Sequence, residues 1–317
     1  MAPTVRIGIQ TGQDGVEWSH LLDFWRFLDR ETAFHSAWTI DHYVPPGPGQ
    51  DIAGPCLEGW TALAAGAQAT ERLRVGCLVT GVTYRHPAVL AKMAATVDHI
   101  SNGRLEFGLG AAWHEGEHRV YGIPFPPVKE RQDRLEEATQ LIPLLFMADG
   151  PVDFQGKHYQ LQQAPFSPPC VQRPHPPIFI GGGGEKRTLR TAARYADAIN
   201  VMGSLDVVRH KIQVLERHCA GVGRNPGEIV KSTFGPVLLV DDEERAKALR
   251  ERLAPMGGTT PERAAETMPI GDAAHVRGVI ERFAEAGVSY MVMMSRAPYN
   301  FDLYRRISDE IVAPFAA

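Results

Sequence analysis

The feature that most constrains this chain is the order of its elements. Short apolar runs rich in β-branched residues alternate with longer stretches of helical periodicity. "VRIGIQ" (5–10) precedes "WSHLLDFWRFLDR", and "SAWTI" (36–40) precedes "LEGWTALAAGAQAT". "LRVGCLVT" (73–80) leads into "PAVLAKMAATVDHI", where Pro87 suits a first helical turn. "RLEFGLG" (104–110), "PIFIG" (177–181), "DAINVMG" (197–203) and "IVKSTFGPVLLV" (229–240) follow, each with a helical stretch downstream, and "VSYMVMM" (288–294) comes last. Repeated strand-then-helix order implies a parallel sheet. Near-continuous apolar runs such as "GCLV" and "YMVMM" fit strands covered on both faces. Eight such units in 317 residues favour a closed (β/α)8 TIM barrel over an open doubly wound sheet. The expectation is a single domain over residues 1–317, with insertions at about 111–130 and 149–176 on the C-terminal face. Long structured loops there usually shape an active site.

Composition excludes some classes of function. Apolar residues are 44% and charged residues 22% of the chain, as in an ordinary globular enzyme. A net charge of −4 gives no general attraction to nucleic acid or to an anionic membrane, so any phosphate must be held by a local site. No apolar stretch reaches the ~18 residues of a membrane span. The start, "MAPTVRIGIQ", lacks the basic and apolar regions of a signal peptide. Cys56, Cys77, Cys170 and Cys219 form no C-x-x-C pair, a pattern that fits reduced thiols and a cytoplasmic location.

Several motifs compete for the chemistry. "HEGEH" (114–118) matches the zinc pattern H-E-x-x-H, but Gly116 disfavours the helix that this spacing requires. The segment reads as a loop, and no metal site is expected. "GLGAAW" (108–113) starts like a dinucleotide fingerprint and then places Trp113 where the third glycine belongs. It is either a tight turn or a close approach of backbone to a flat cofactor. In "IFIGGGGEKRTLR" (178–190) a strand ends in four glycines, and a helix is expected from about Glu185 with Leu189, Ala192, Ala193 and Ala196 on one face. Free N–H groups and a positive helix end suit a phosphate cradle, with Lys186 and Arg187 adding charge, and a flexible βα loop is the alternative. No G-x-S-x-G elbow is present, and Ser204 suits a helix N-cap. Asp41-His42 ends the second strand, and "YRHP" (84–87) follows the third. In a barrel both would lie at the end where catalytic groups gather.

Taken together, "WTIDHY", "LEGWTALAAGAQATERLRVGCLVTGVTYRHPAVLAK", "ATVDHISNGRLEFGLGAAWHEGEHRVYGIPFPPVKERQDRLEEA" and "PIFIGGGGEKRTLRTAARYADAIN" resemble the luciferase-like flavin and deazaflavin oxidoreductases. The likeness is greatest to the subgroup that uses coenzyme F420. It implies a (β/α)8 barrel enzyme, with F420, or FMN as the alternative, bound at the C-terminal face. It also implies a small organic substrate and a homodimer. The ring would lie near Asp41, His42 and Leu78, Val79, Thr80 and Gly81, with a non-proline cis peptide at Leu78-Val79. Ala111, Ala112 and Trp113 would flank the ring, and Gly182, Gly183, Gly184, Glu185 and Arg187 would hold the phosphate. His42 matches a histidine placed near the hydride-transfer centre, with Asp41 fixing its tautomer or bonding the ring edge. Trp113 stands where the sugar-phosphate branch has a glutamate, which argues against a sugar-phosphate substrate. Ala112 replaces the usual glycine, a change expected only to tighten the turn.

Overall fold

A computed structural model describes residues 3–47 and 49–316, so Pro48 and the chain ends lie outside the described residues. Eight parallel strands close into a barrel. In chain order they are Arg6–Gln10, Ser36–Thr39, Arg74–Gly81, Leu105–Gly110, Ile178–Gly181, Ala198–Met202, Val230–Gly235 and Tyr290–Met294. Each pairs with its sequence neighbour, and the first closes on the eighth with Gly8 opposite Val292. The chain is thus a (β/α)8 TIM barrel, and all eight expected strands are present.

Alternation along each strand builds two cores. Outward residues such as Ile7, Ile9, Val75, Phe107 and Met291 pack beneath the helices. Inward residues, among them Trp38, Leu78, Phe179, Tyr290 and Val292, fill the barrel. Near the N-terminal end the interior turns polar. The Tyr290 hydroxyl donates to Glu106 Oε2 at 2.6 Å and lies 2.6 Å from Ser36 Oγ, which accepts from Trp38 Nε1 at 2.7 Å. Arg74 Nε donates to the other oxygen of Glu106 at 2.9 Å, so the buried carboxylate is both neutralised and hydrogen-bonded. This interior bonding ties strands two, four and eight together below the site.

Two readings need correction, and one insertion gains a structure of its own. The apolar run 229–240 is not one strand: it stops at Gly235 before Pro236, which has no N–H for the ladder. Leu238–Leu239 instead pairs with Ile270–Gly271 in a small sheet carrying helices Glu243–Gly257 and Pro261–Thr267. Within the 149–176 insertion, Val152–Gln155 and Gln160–Ala164 form an antiparallel hairpin. Its tip is held by Glu137, whose carboxylate accepts from Lys157, His158 and Tyr159 N–H at 2.8–3.0 Å. "HEGEH" is not a loop: Glu115–Val120 is a short helix whose N-cap is His114.

Candidate functional site

The strand ends bring Asp41 and His42 to the barrel mouth, where their side chains take different partners. Asp41 is buried and receives both of its contacts from Arg85 Nη1, at 2.8 and 2.9 Å, with Gly81 N–H at 3.1 Å. Arg85 Nη2 also reaches Glu58 at 2.6 Å, and Glu58 caps helix Gly59–Ala69 through Trp60 and Thr61 N–H. Burial pushes the Asp41 carboxyl above its ordinary range, and Arg85 opposes that rise. Asp41 therefore braces the ends of strands two and three. It does not fix the His42 tautomer, because its two oxygens bond Arg85 and Gly81.

The group on His42 is Glu117, from the short helix after strand four. Glu117 Oε2 lies 2.8 Å from His42 Nδ1 and accepts from the Tyr84 hydroxyl. Its Oε1 accepts from Tyr43 N–H and, at 3.3 Å, from Val44 N–H. Burial alone would raise this carboxyl, but the bonds from His42, Tyr84 and Tyr43 outweigh it and hold the group at about 2. The two histidines of the zinc pattern have other partners. His114 Nδ1 accepts from Glu117 N–H at 2.9 Å, capping the helix. His118 puts one nitrogen 2.8 Å from the His114 carbonyl and the other 2.7 Å from Thr83 Oγ1, while its ring stacks on Tyr84 at 4.6 Å. Among the described residues no three His, Cys, Asp or Glu side chains are grouped to hold a metal ion.

Trp113 stands beside His42, ring centroids 5.5 Å apart, with 62% of the tryptophan exposed. A large aromatic so open at a barrel mouth offers a face to a planar ligand. Ala112, before it, adopts φ +59°. The substitution does more than tighten the turn, because the left-handed region disfavours any residue with a Cβ. Arg131 donates to the Ala111 and Ala112 carbonyls and secures the segment.

Leu78-Val79 is a cis peptide, and the strand-three register shifts between Cys77 and Thr80. The bulge turns Val79 onto the backbone of strands four and five. A Cβ at Gly110 would come within 2.8 Å of Val79 Cγ2, and one at Gly181 within 2.6 Å. Those glycines make room for the bulge. Thr80 faces away and accepts from Trp60 Nε1 at 2.9 Å.

Gly182 to Arg187 form a turn, and the helix begins at Thr188 rather than near Glu185. Leu189, Ala192, Ala193 and Ala196 are buried on one face as expected. Gly182 N–H bonds the Asn200 carbonyl at 2.9 Å, and φ +119° there is a conformation glycine tolerates. Arg187 does not point at the turn: its guanidinium meets Asp133 at 2.5 Å and the Lys129 carbonyl at 3.1 Å, on helix Val128–Phe146. The Glu185 carboxylate bonds Lys211 at 2.6 Å and His210 at 2.9 Å. Ser204 occupies an N-cap position, but its hydroxyl makes no cap bond.

The parallel barrel carries an imidazole on a buried carboxylate, an open indole and a glycine turn at its C-terminal end, the end where TIM-barrel enzymes gather their active-site groups. The chain belongs to the luciferase-like monooxygenase family, whose model matches residues 3–286. Its relatives include the F420-dependent glucose-6-phosphate dehydrogenase of Amycolatopsis mediterranei (strain U-32), 34% identical over 157 residues. That match spans 49% of this chain and 45% of the dehydrogenase, less than half its length. The FMNH(2)-dependent dimethylsulfone monooxygenase of Pseudomonas putida is 26% identical over 253 residues, 77% of this chain and 67% of that protein. Among solved structures, an F420-dependent secondary alcohol dehydrogenase in complex with an F420-acetone adduct superposes with a TM-score of 0.81 at 22% identity, covering 98% of this chain and 99% of that one. No helix among the described residues is long and apolar enough to cross a membrane.

Proposed function

We propose that this protein transfers a hydride between coenzyme F420 and a small organic substrate. The observation that carries this reading is the arrangement at the strand ends, where His42, held by buried Glu117, faces the open ring of Trp113. Lys186 makes no ion pair among the described residues, and with the N–H groups of the glycine turn it suits a ligand phosphate. The likeness to an F420-dependent dehydrogenase supports F420 as that ligand.

When bound, F420 supplies a ring carbon that gives or takes a hydride. The chain's own residues would do the rest. The N–H groups of Gly183 and Gly184 orient toward the phosphate, and Glu185 contributes backbone rather than its carboxylate. Leu78, Val79 and Gly81, with the backbone of Thr80, would form the wall behind the ring, with Ala111 and Ala112 at its edge. Trp113 stacks on the ring or the substrate and excludes water. His42 faces the reacting atoms and moves a proton there. Asp41 keeps this wall in place through Gly81 and Arg85.

The alternative is an FMNH2-dependent monooxygenase on the same fold, favoured by the longer match to the dimethylsulfone enzyme. Titrating the apoprotein with F420 and with FMN, following fluorescence quenching, separates the two. F420 should bind at least about tenfold more tightly, a difference of about 1.4 kcal/mol. Tighter FMN binding, with oxygen consumed when reduced FMN is supplied, overturns the reading.

A further inference from the structure

We infer that Glu117 is a positioning residue that fixes His42 as the Nδ1–H form, which makes Nε2 the one atom of the ring that exchanges a proton with substrate. This inference rests on the hydride-transfer reading above. It assigns a role to a residue that acts through His42 and touches no substrate itself.

The argument starts from what a carboxylate can do. An ionised carboxylate only accepts hydrogen bonds, so each group around Glu117 must donate. Tyr43 and Val44 N–H take one oxygen. The Tyr84 hydroxyl and His42 Nδ1 take the other. The proton between Glu117 and His42 therefore resides on Nδ1 whether the imidazole is neutral or cationic. Glu117 is completely buried, so water does not compete for these positions. Nε2, on the opposite side of the ring, makes no hydrogen bond to any described residue. The ring lies beside Trp113 at 5.5 Å and His114 at 5.9 Å, Tyr43 and Asp41 flank it in sequence, Tyr84 shares Glu117 with it, and the Cys56 thiol lies 3.5 Å from the His42 carbonyl.

The step balances. As a substrate carbon loses its hydride to F420, an adjacent O–H or N–H gives its proton to Nε2. The electron pair of that bond becomes the π pair of the new C=O or C=N. In the reducing direction Nε2 returns the proton to the oxygen or nitrogen as the hydride arrives on carbon. The substrate class that follows is a carbinol or amine, or the matching carbonyl or imine, whose heteroatom reaches Nε2.

Glu117→Gln tests this through the tautomer. The Tyr43 and Val44 N–H groups will keep an oxygen at the Oε1 position, so the new NH2 turns to His42 and donates to Nδ1. The proton of neutral His42 is thereby forced onto Nε2. Nitrogen-15 NMR of histidine-labelled protein, with His42→Ala to assign the signal among the 12 histidines, reads this without cofactor or turnover. The expected result is Nδ1–H in the wild type and in Glu117→Asp, and Nε2–H in Glu117→Gln. With F420 bound, kcat of Glu117→Gln should fall about a hundredfold, with KM and F420 affinity nearly unchanged. An Nε2–H signal in the wild type, or a Glu117→Gln protein with the flipped tautomer and full kcat, overturns the inference. The wild-type and Glu117→Asp spectra decide the matter even where Glu117→Gln does not fold. Failure to bind F420 defeats the hydride-transfer reading and leaves the spectra unaffected, so the two failures are distinguishable.

Discussion

Replacing Arg85 by methionine should destabilise the fold strongly at neutral pH and much less in mild acid. Asp41 is 2% exposed, and among the described residues Arg85 alone compensates its charge with a side chain, through contacts at 2.8 and 2.9 Å to its two oxygens. Without the guanidinium only Gly81 N–H remains on that carboxylate. Removing one partner of a buried ion pair costs about 3–5 kcal/mol, most of it from the charge left behind. The Glu58 contact at 2.6 Å is also lost, but Glu58 is partly exposed and keeps its two backbone donors, so it contributes little. The sign with pH follows from Asp41. In the variant its folded pKa rises further above the unfolded value, so the penalty is greatest at high pH and shrinks as the carboxyl protonates. Urea denaturation at pH 7.5 and pH 5 measures this. The double variant Asp41→Asn/Arg85→Met should recover at least about 2 kcal/mol of the loss, because two neutral partners leave no stranded charge. A loss below about 1 kcal/mol at pH 7.5, or a double variant no better than Arg85→Met alone, would refute the argument.

Two further outcomes follow from the same region. Ala112→Gly should raise the melting midpoint by about 1–3 °C, since φ +59° costs a residue with a Cβ roughly 1 kcal/mol; a lower midpoint in calorimetry counts against it. The Glu117 carboxyl sits at about 2 in the fold against an ordinary 4.5, so its contribution is present above pH 4.5 and is lost as pH falls toward 2. The size is about 3 kcal/mol, and the stability advantage of wild type over Glu117→Gln should vanish across that window. Parallel curves for the two proteins from pH 6 to pH 2.5 would contradict this.

Much of the architecture was legible because barrel strands announce themselves locally. "GCLV" and "YMVMM" are apolar without interruption, and each helix after them carries its own stripe. The hairpin at 152–164 was not legible, because its strands alternate half-buried and exposed positions and are rich in glutamine. The split of 229–240 did have a signal in Pro236, but the partner strand at Ile270–Gly271 is two residues long. At the site, His42 and Trp113 were found from their places after strands two and four. Glu117 was missed for a different reason. Gly116 argues against a helix, and the bond to His42 spans 75 residues, which no local pattern encodes. The one available clue was "HEGEH" itself, where the second glutamate rather than the histidines reaches the site.

The interior hydroxyl of Tyr290 has a consequence for how the chain reaches its final form. Strand eight is the last barrel strand to leave the ribosome, and its tyrosine completes the bonding of Glu106 and Ser36 from across the barrel. A nascent chain with seven strands would hold an incompletely bonded carboxylate on a surface meant to be dry. Such an open sheet gains little from closing early. Fragments that stop short of residue 290 should therefore remain protease-sensitive throughout rather than fold as a partial barrel.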